Sequence, residues 1–127
     1  MVRFKIDPNS AVPPYYQLVQ EIKWGILSGR VENGDRLPSI REMAKTLRLN
    51  PNTVAKAYYN LEYEGLLECK GRKGSYVNYD KTRSGKLSHV LAEDELKVFL
   101  GKIFYLGITE DELKKMITKQ FERDHFK

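Results

Sequence analysis

The sequence predicts a mostly α fold with one small β-hairpin, closing on a pair of C-terminal helices. Three observations carry that prediction. Apolar residues recur at three- and four-residue spacing in five segments. Two Ser/Thr-x-x-Glu strings mark helix starts. One Gly-bounded basic tetrapeptide separates two short runs that lack helical period. Of the 127 residues, 41% are apolar and 31% charged, which is enough apolar material for a core and argues against wholesale disorder.

Met1–Val12 lacks periodicity and reads as an extended arm or short strand leading into Pro13-Pro14. Proline suits the first helical turn, where its missing N–H has no partner to lose. Tyr15, Leu18, Val19, Ile22, Ile26 and Leu27 then place a first helix over about 14–28, with Gly29 behind it. Asn33-Gly34-Asp35 is a turn, and Arg36-Leu37-Pro38 a short extended link. Ser39-Ile40-Arg41-Glu42 has the form of a capping box, and Ile40, Met43, Ala44 and Leu47 give a short helix over about 40–47. Asn50 is a good N-cap, Pro51 fits the next position, and Val54, Ala57, Tyr58 and Leu61 carry a third helix that Gly65 ends. Leu66–Lys70 and Ser75–Asn78 read as paired strands around Gly71-Arg72-Lys73-Gly74, and Lys81–Lys86 as a linker. Acidic Glu93-Asp94-Glu95 opens a fourth helix, Gly107 stops it, and the box Thr109–Glu112 opens a fifth.

The net charge of +5 says little as a sum, and more by position. Residues 1–78 carry 12 Lys/Arg against 8 acids, whereas the remainder is nearly neutral. Arg36–Lys56 holds five bases and one acid, and Lys70, Arg72 and Lys73 form a second cluster with no acid. Local excess of this kind is what a phosphate-facing surface requires, because each neutralised phosphate releases condensed counterions. Other classes find less support. No apolar run approaches the roughly 20 residues of a membrane span. Met1-Val2-Arg3-Phe4-Lys5 is not a signal peptide, so a cytoplasmic protein is expected. One cysteine, Cys69, and two distant histidines, His89 and His125, predict neither a disulfide nor a metal site. No cofactor is expected. Paired carboxylates, a nucleophile–His arrangement and a phosphate-cradling glycine loop are all missing from the pattern, so an enzyme is not expected.

A short capped helix, a tight turn, a second helix and a basic hairpin follow the winged helix-turn-helix order. In that geometry the start of the second helix meets base edges, and here it offers Asn50, Asn52, Thr53 and Lys56. Asn pairs with adenine, Lys donates to guanine, and Thr offers a methyl to thymine or a hydroxyl to phosphate. Lys70, Arg72 and Lys73 suit a wing on backbone or minor groove, and Tyr59 stands off the core stripe within reach of a phosphate. The rival within the same fold is a protein–protein interaction module whose third helix and wing dock another protein. That rival does not require the local basic excess.

Several strings also resemble a known family. Pro14-Tyr15-Tyr16-Gln17, Gly34-Asp35-Arg36-Leu37-Pro38-Ser39-Ile40-Arg41-Glu42-Met43-Ala44, Asn50–Tyr58, Leu61–Leu67 and Gly74-Ser75-Tyr76-Val77 are similar to a GntR-type winged helix-turn-helix. The Asn50–Tyr58 string and the short tail resemble its YtrA subfamily. The resemblance implies a dimeric bacterial transcription factor, mostly of the repressor kind, acting on double-stranded operator DNA and often controlling ABC transporter genes. It implies DNA contact by Arg41 at the start of the second helix, and by Asn50, Asn52 and Thr53. Relatives often have arginines where this chain has Pro51 and Ala55, and a Gly-x-Gly wing tip where it has Gly71-Arg72-Lys73-Gly74. The candidate DNA-facing set is therefore Ser39, Arg41, Asn50, Asn52, Thr53, Lys56, Tyr59, Lys70, Arg72, Lys73 and Gly74.

Two domains are expected, a reading head over 11–79 and a linker with helical tail over 80–127. In the tail, Leu96, Phe99, Leu100, Ile103 and Phe104 form one stripe, and Leu113, Met116, Ile117 and Phe121 another. A helical hairpin of this size cannot bury both within itself. Its own N-terminal part or a second copy must cover them, and a twofold protein on a palindrome with half-sites about 34–36 Å apart favours the homodimer. The sequence names no small-molecule effector. Trp24 is expected to pack, Tyr58 to join the core, and Cys69 to be half-buried in a strand.

Overall fold

Caps and apolar spacing coincide at the helix starts, and the structure shows how each is held. The computed structural model describes residues 3–79 and 84–124. The chain runs α1 (Pro14–Leu27), β1 (Arg36–Leu37), α2 (Ile40–Leu47), α3 (Pro51–Tyr63), β2 (Leu67–Cys69), β3 (Ser75–Val77), α4 (Ser84–Tyr105) and α5 (Glu110–Asp124). At α2, Ser39 Oγ accepts from the Glu42 N–H at 3.1 Å, and the Glu42 carboxylate accepts from the Ser39 N–H at 3.4 Å. At α3, Asn50 Oδ1 accepts from the Asn52 N–H at 2.8 Å. At α5, Thr109 Oγ1 accepts from the Glu112 N–H at 3.2 Å, but the Glu112 carboxylate takes the Thr109 hydroxyl proton at 3.0 Å instead of a backbone N–H.

Two compact units result, Met1–Leu87 and Ser88–Lys127. In the first, Leu18, Val19, Ile22 and Ile26 of α1, Met43 and Ala44 of α2, and Val54, Ala57, Tyr58 and Leu61 of α3 are buried. A three-stranded antiparallel sheet of order β1-β3-β2 adds Leu37, Leu67 and Val77. Its register pairs Arg36 with Tyr76 on one side of β3 and Glu68 with Tyr76 on the other. Tyr58 joins the core as expected, and its buried hydroxyl donates to the Pro38 carbonyl at 2.7 Å, tying the β1–α2 link to α3. Burial, with Cys69 and Glu42 adding to it, pushes that phenol well above the usual tyrosine range, so it remains a donor. Between α2 and α3 the chain reverses at Arg48, whose φ of 56° and ψ of 45° are left-handed. Among the described residues it is the one non-glycine with positive φ, a conformation that costs an L residue about 1–2 kcal/mol.

Three features of the fold differ from the sequence expectation. Arg36-Leu37 is a strand and not merely an extended link, because its two residues close the free edge of β3. Of the two readings of residues 3–12, the structure has the arm and not the strand. The arm is tied to α1, where Gln17 donates to the Val12 and Asp7 carbonyls at 2.8 and 3.1 Å and accepts from the Asp7 N–H at 2.8 Å. Ser84–Lys86, expected in the linker, open α4, since Leu87, Val90 and Leu91 continue the apolar spacing backward from Glu93. The rest of that linker, residues 81–83, and His125 lie outside the described residues. Trp24 packs only in part: it stands about 200° round α1 from Ile22 and is 42% exposed.

In the second unit, α4 and α5 are joined through Gly107, at φ 80°. No described helix is long and apolar enough to cross a membrane.

Candidate nucleic-acid interface

Helix α3 carries the centre of the site. Its buried face holds Val54, Ala57, Tyr58 and Leu61, which leaves Asn52, Lys56 and Tyr59 at i, i+4, i+7 on the opposite, exposed face. Tyr59 is 65% exposed. Tyr63 extends the same row by one turn and is also exposed, a position that sequence reasoning passed over. Thr53 is half-buried at the edge of this face. Asn52 makes no side-chain hydrogen bond among the described residues, so both its amide donors and its carbonyl remain free. Arg41 stands on the exposed side of α2, one turn from Lys45, with Arg48 beyond.

Ser39 and Asn50 are engaged otherwise. Each spends an acceptor on its helix cap, which leaves the Ser39 hydroxyl proton and the Asn50 amide donors for an outside partner. Both caps sit where backbone N–H groups and helix dipoles favour an anion.

The wing forms the second cluster. Gly71–Lys73 make a single 3-10 turn, and Lys70, Arg72 and Lys73 are all exposed around it. The Lys70 ammonium lies 5.0 Å from the centroid of the Tyr76 ring, whose hydroxyl donates to the Lys73 carbonyl at 2.9 Å. Gly74 has φ 103°, and a Cβ there would stand 2.6 Å from Nε of Arg36. Glycine is therefore needed for the Arg36 guanidinium to lie across the base of the wing. Sequence reasoning counts Arg36 among the basic residues but does not place it here. The two-residue β1–β3 pairing that does so leaves no periodic signal. The wing is rooted on α3, whose Glu62 carboxylate accepts from the Cys69 N–H at 3.1 Å.

Cys69 is exposed, against the half-burial expected. Partial desolvation, and the Glu62 carboxylate that accepts its hydrogen bond, push the thiol up, with the Ser75 hydroxyl opposing at 3.3 Å. Among the described residues no group of three or more His, Cys, Asp and Glu side chains comes together to hold a metal.

The tail presents a different surface. Of the nine apolar residues singled out, Leu113 is buried, Leu100 and Ile103 are half-buried, and Leu96, Phe99, Phe104, Met116, Ile117 and Phe121 are exposed.

Similarity to known proteins agrees with this geometry. Residues 14–77 match the Bacterial regulatory proteins, gntR family. The chain is 37% identical over 114 residues to the HTH-type transcriptional repressor YtrA of Bacillus subtilis, covering 89% of this chain and 88% of that protein. A GntR family transcriptional regulator from Listeria monocytogenes superposes with a TM-score of 0.69 at 32% identity, over 90% of this chain and 98% of that one. The DNA-binding domain of AraR, in complex with operator ORX1, superposes with a TM-score of 0.52 at 27% identity, over 57% of this chain and 89% of that one. These relatives are transcriptional regulators and not enzymes, and the chain belongs to the GntR family of bacterial regulatory proteins.

Proposed function

We propose that this GntR-family regulator is a homodimeric repressor that binds a palindromic operator, with residues 11–79 as the reading head and 80–127 as link and clasp. The observation that carries the reading is the exposed row Asn52, Lys56 and Tyr59 on α3, with Asn52 unengaged within the chain. In this reading Arg41, Lys70, Arg72 and Lys73 bind phosphates and set register, while Asn52 and Lys56 read base edges. Thr53 and Tyr59 flank those readers. Ser39 and Asn50 offer donors at the two helix starts, and Gly74 admits Arg36 beneath the wing. The exposed apolar residues of α4 and α5 meet those of a second copy, which places two heads on one duplex. Repression follows from occupying the operator. Its site is expected near ABC transporter genes, as the likeness to YtrA suggests.

Selection of bound duplexes from a random pool tests this. A two-fold symmetric sequence is expected to emerge, with affinity falling steeply as salt rises. A pool that never enriches, or that enriches while affinity ignores salt, contradicts it. Binding of a protein ligand through α3 and the wing, without DNA preference, would favour the interaction module instead.

A further inference from the structure

The Lys56 side chain is not loose. Its ammonium sits 3.8 Å from the centroid of the Tyr15 ring, over the first turn of α1. That ring is half-buried and braced edge-on by Tyr16, with centroids 6.4 Å apart and planes at 79°. The Tyr16 hydroxyl in turn accepts from the Gln20 amide at 2.9 Å. Farther along, Lys23 of α1 meets Glu64, the residue that caps the end of α3, at 2.8 Å. Both residues of that pair lie eight positions beyond Tyr15 and Lys56, so α1 and α3 run side by side in the same sense. The start of α1 is thereby fixed against the recognition face of α3.

We propose that Tyr15 is a positioning residue for DNA recognition, acting through Lys56. This rests on the DNA reading of α3 and adds a member from a helix outside the helix-turn-helix. A lysine on a four-carbon stem has many rotamers, and ordering them on binding costs entropy. A π face restrains the cation in advance and brings no negative charge. A carboxylate at the same place would instead neutralise the ammonium that phosphate or guanine requires. Among the described residues no acid pairs with Lys56, so its charge is held and still available. Lys56 lies one turn after Asn52, so Tyr15 also sets the spacing between the two readers.

Affinities for the selected operator and for random duplex should be measured for the full chain, Tyr15→Phe, Tyr15→Leu, Lys56→Met and the Tyr15→Leu/Lys56→Met double variant. The free protein's Lys56 ε-methylene resonance should be recorded beside them. Tyr15→Phe keeps the ring and is expected to bind within about twofold of the parent, whereas Tyr15→Leu should lose about three- to tenfold on the operator. In the Lys56→Met background, Tyr15→Leu should cost nothing further. The methylene signal should be shifted upfield by the ring and return to its ordinary position in Tyr15→Leu. An equal loss with and without Lys56 overturns the proposal, since the ring would then act alone. An unshifted methylene overturns it at the contact itself. A shifted methylene in a protein that does not distinguish operator from random duplex breaks the DNA reading of α3, and the proposal with it.

Discussion

The two units of the chain treat their apolar residues in opposite ways. In the unit ending at Leu87, Leu18, Ile22, Val54, Tyr58 and Leu61 are closed off from water. In the unit from Ser88 onward, six of the nine stripe residues are exposed, Phe121 by 58%. Helical spacing alone does not separate the two cases, because both units have clear apolar stripes. What differs is the number of faces available. Three helices and a sheet give every stripe of the first unit a neighbour, and a pair of helices has fewer faces to offer. Exposed apolar surface rimmed by polar residues marks an interaction surface, and the charges divide accordingly: residues 1–87 hold 15 Lys/Arg against 9 acids, a net +6, whereas residues 88–127 hold 7 against 8, a net −1. In the proposed reading the first unit faces an anion and the second faces something apolar.

Six changes test that contrast. The largest effect is expected from removing residues 88–127. The remaining unit should fold and sediment as a monomer, and its operator affinity should fall by about a hundredfold or more as the second head is lost; an intact dimer after the deletion would refute the clasp. Next, Leu61→Ala should cost about 2–5 kcal/mol in denaturant unfolding, because it hollows a fully buried position. Phe104→Ala in the tail should cost far less in dilute solution and weaken self-association instead. If both variants lose equal stability, the units are not as different as their burial indicates. Smaller again is Asn52→Ala, expected to cost about 1–3 kcal/mol at particular base pairs while leaving random duplex unchanged. Arg41→Ala should weaken both duplexes alike and reduce the salt slope by about 1. Competition titrations at several salt concentrations separate the two behaviours. The smallest effect concerns the turn. Arg48→Gly should relieve the left-handed strain and, after the added freedom of the unfolded chain, stabilise by about 0.5–1 kcal/mol in thermal unfolding. A loss of stability there would show that the Arg48 side chain makes up for its backbone.

Local signals were legible in the sequence, and non-local ones were not. Ser39-x-x-Glu42, Asn50-Pro51 and Thr109-x-x-Glu112 announce their helices because a cap is a contact within three residues. The exposed row on α3 follows from the same periodicity that buries Val54 and Leu61. Two-residue β1 left no alternating pattern, so Arg36 could not be placed on Gly74. Lys56 and Tyr15 lie 41 positions apart, and nothing in either segment alone indicates that they meet. Gly85 and the surrounding basic residues suggested a linker, while Leu87 and Leu91 carried the helix through it.

In the proposed reading one unit reads DNA and the other brings a second reader to the same duplex. Binding stoichiometry and affinity of the intact chain on the selected palindrome, set against a duplex holding a single half-site, test it most directly. Two chains per palindrome are expected, with a half-site weaker by about a hundredfold or more. One chain per palindrome, or equal affinity for both duplexes, would contradict it.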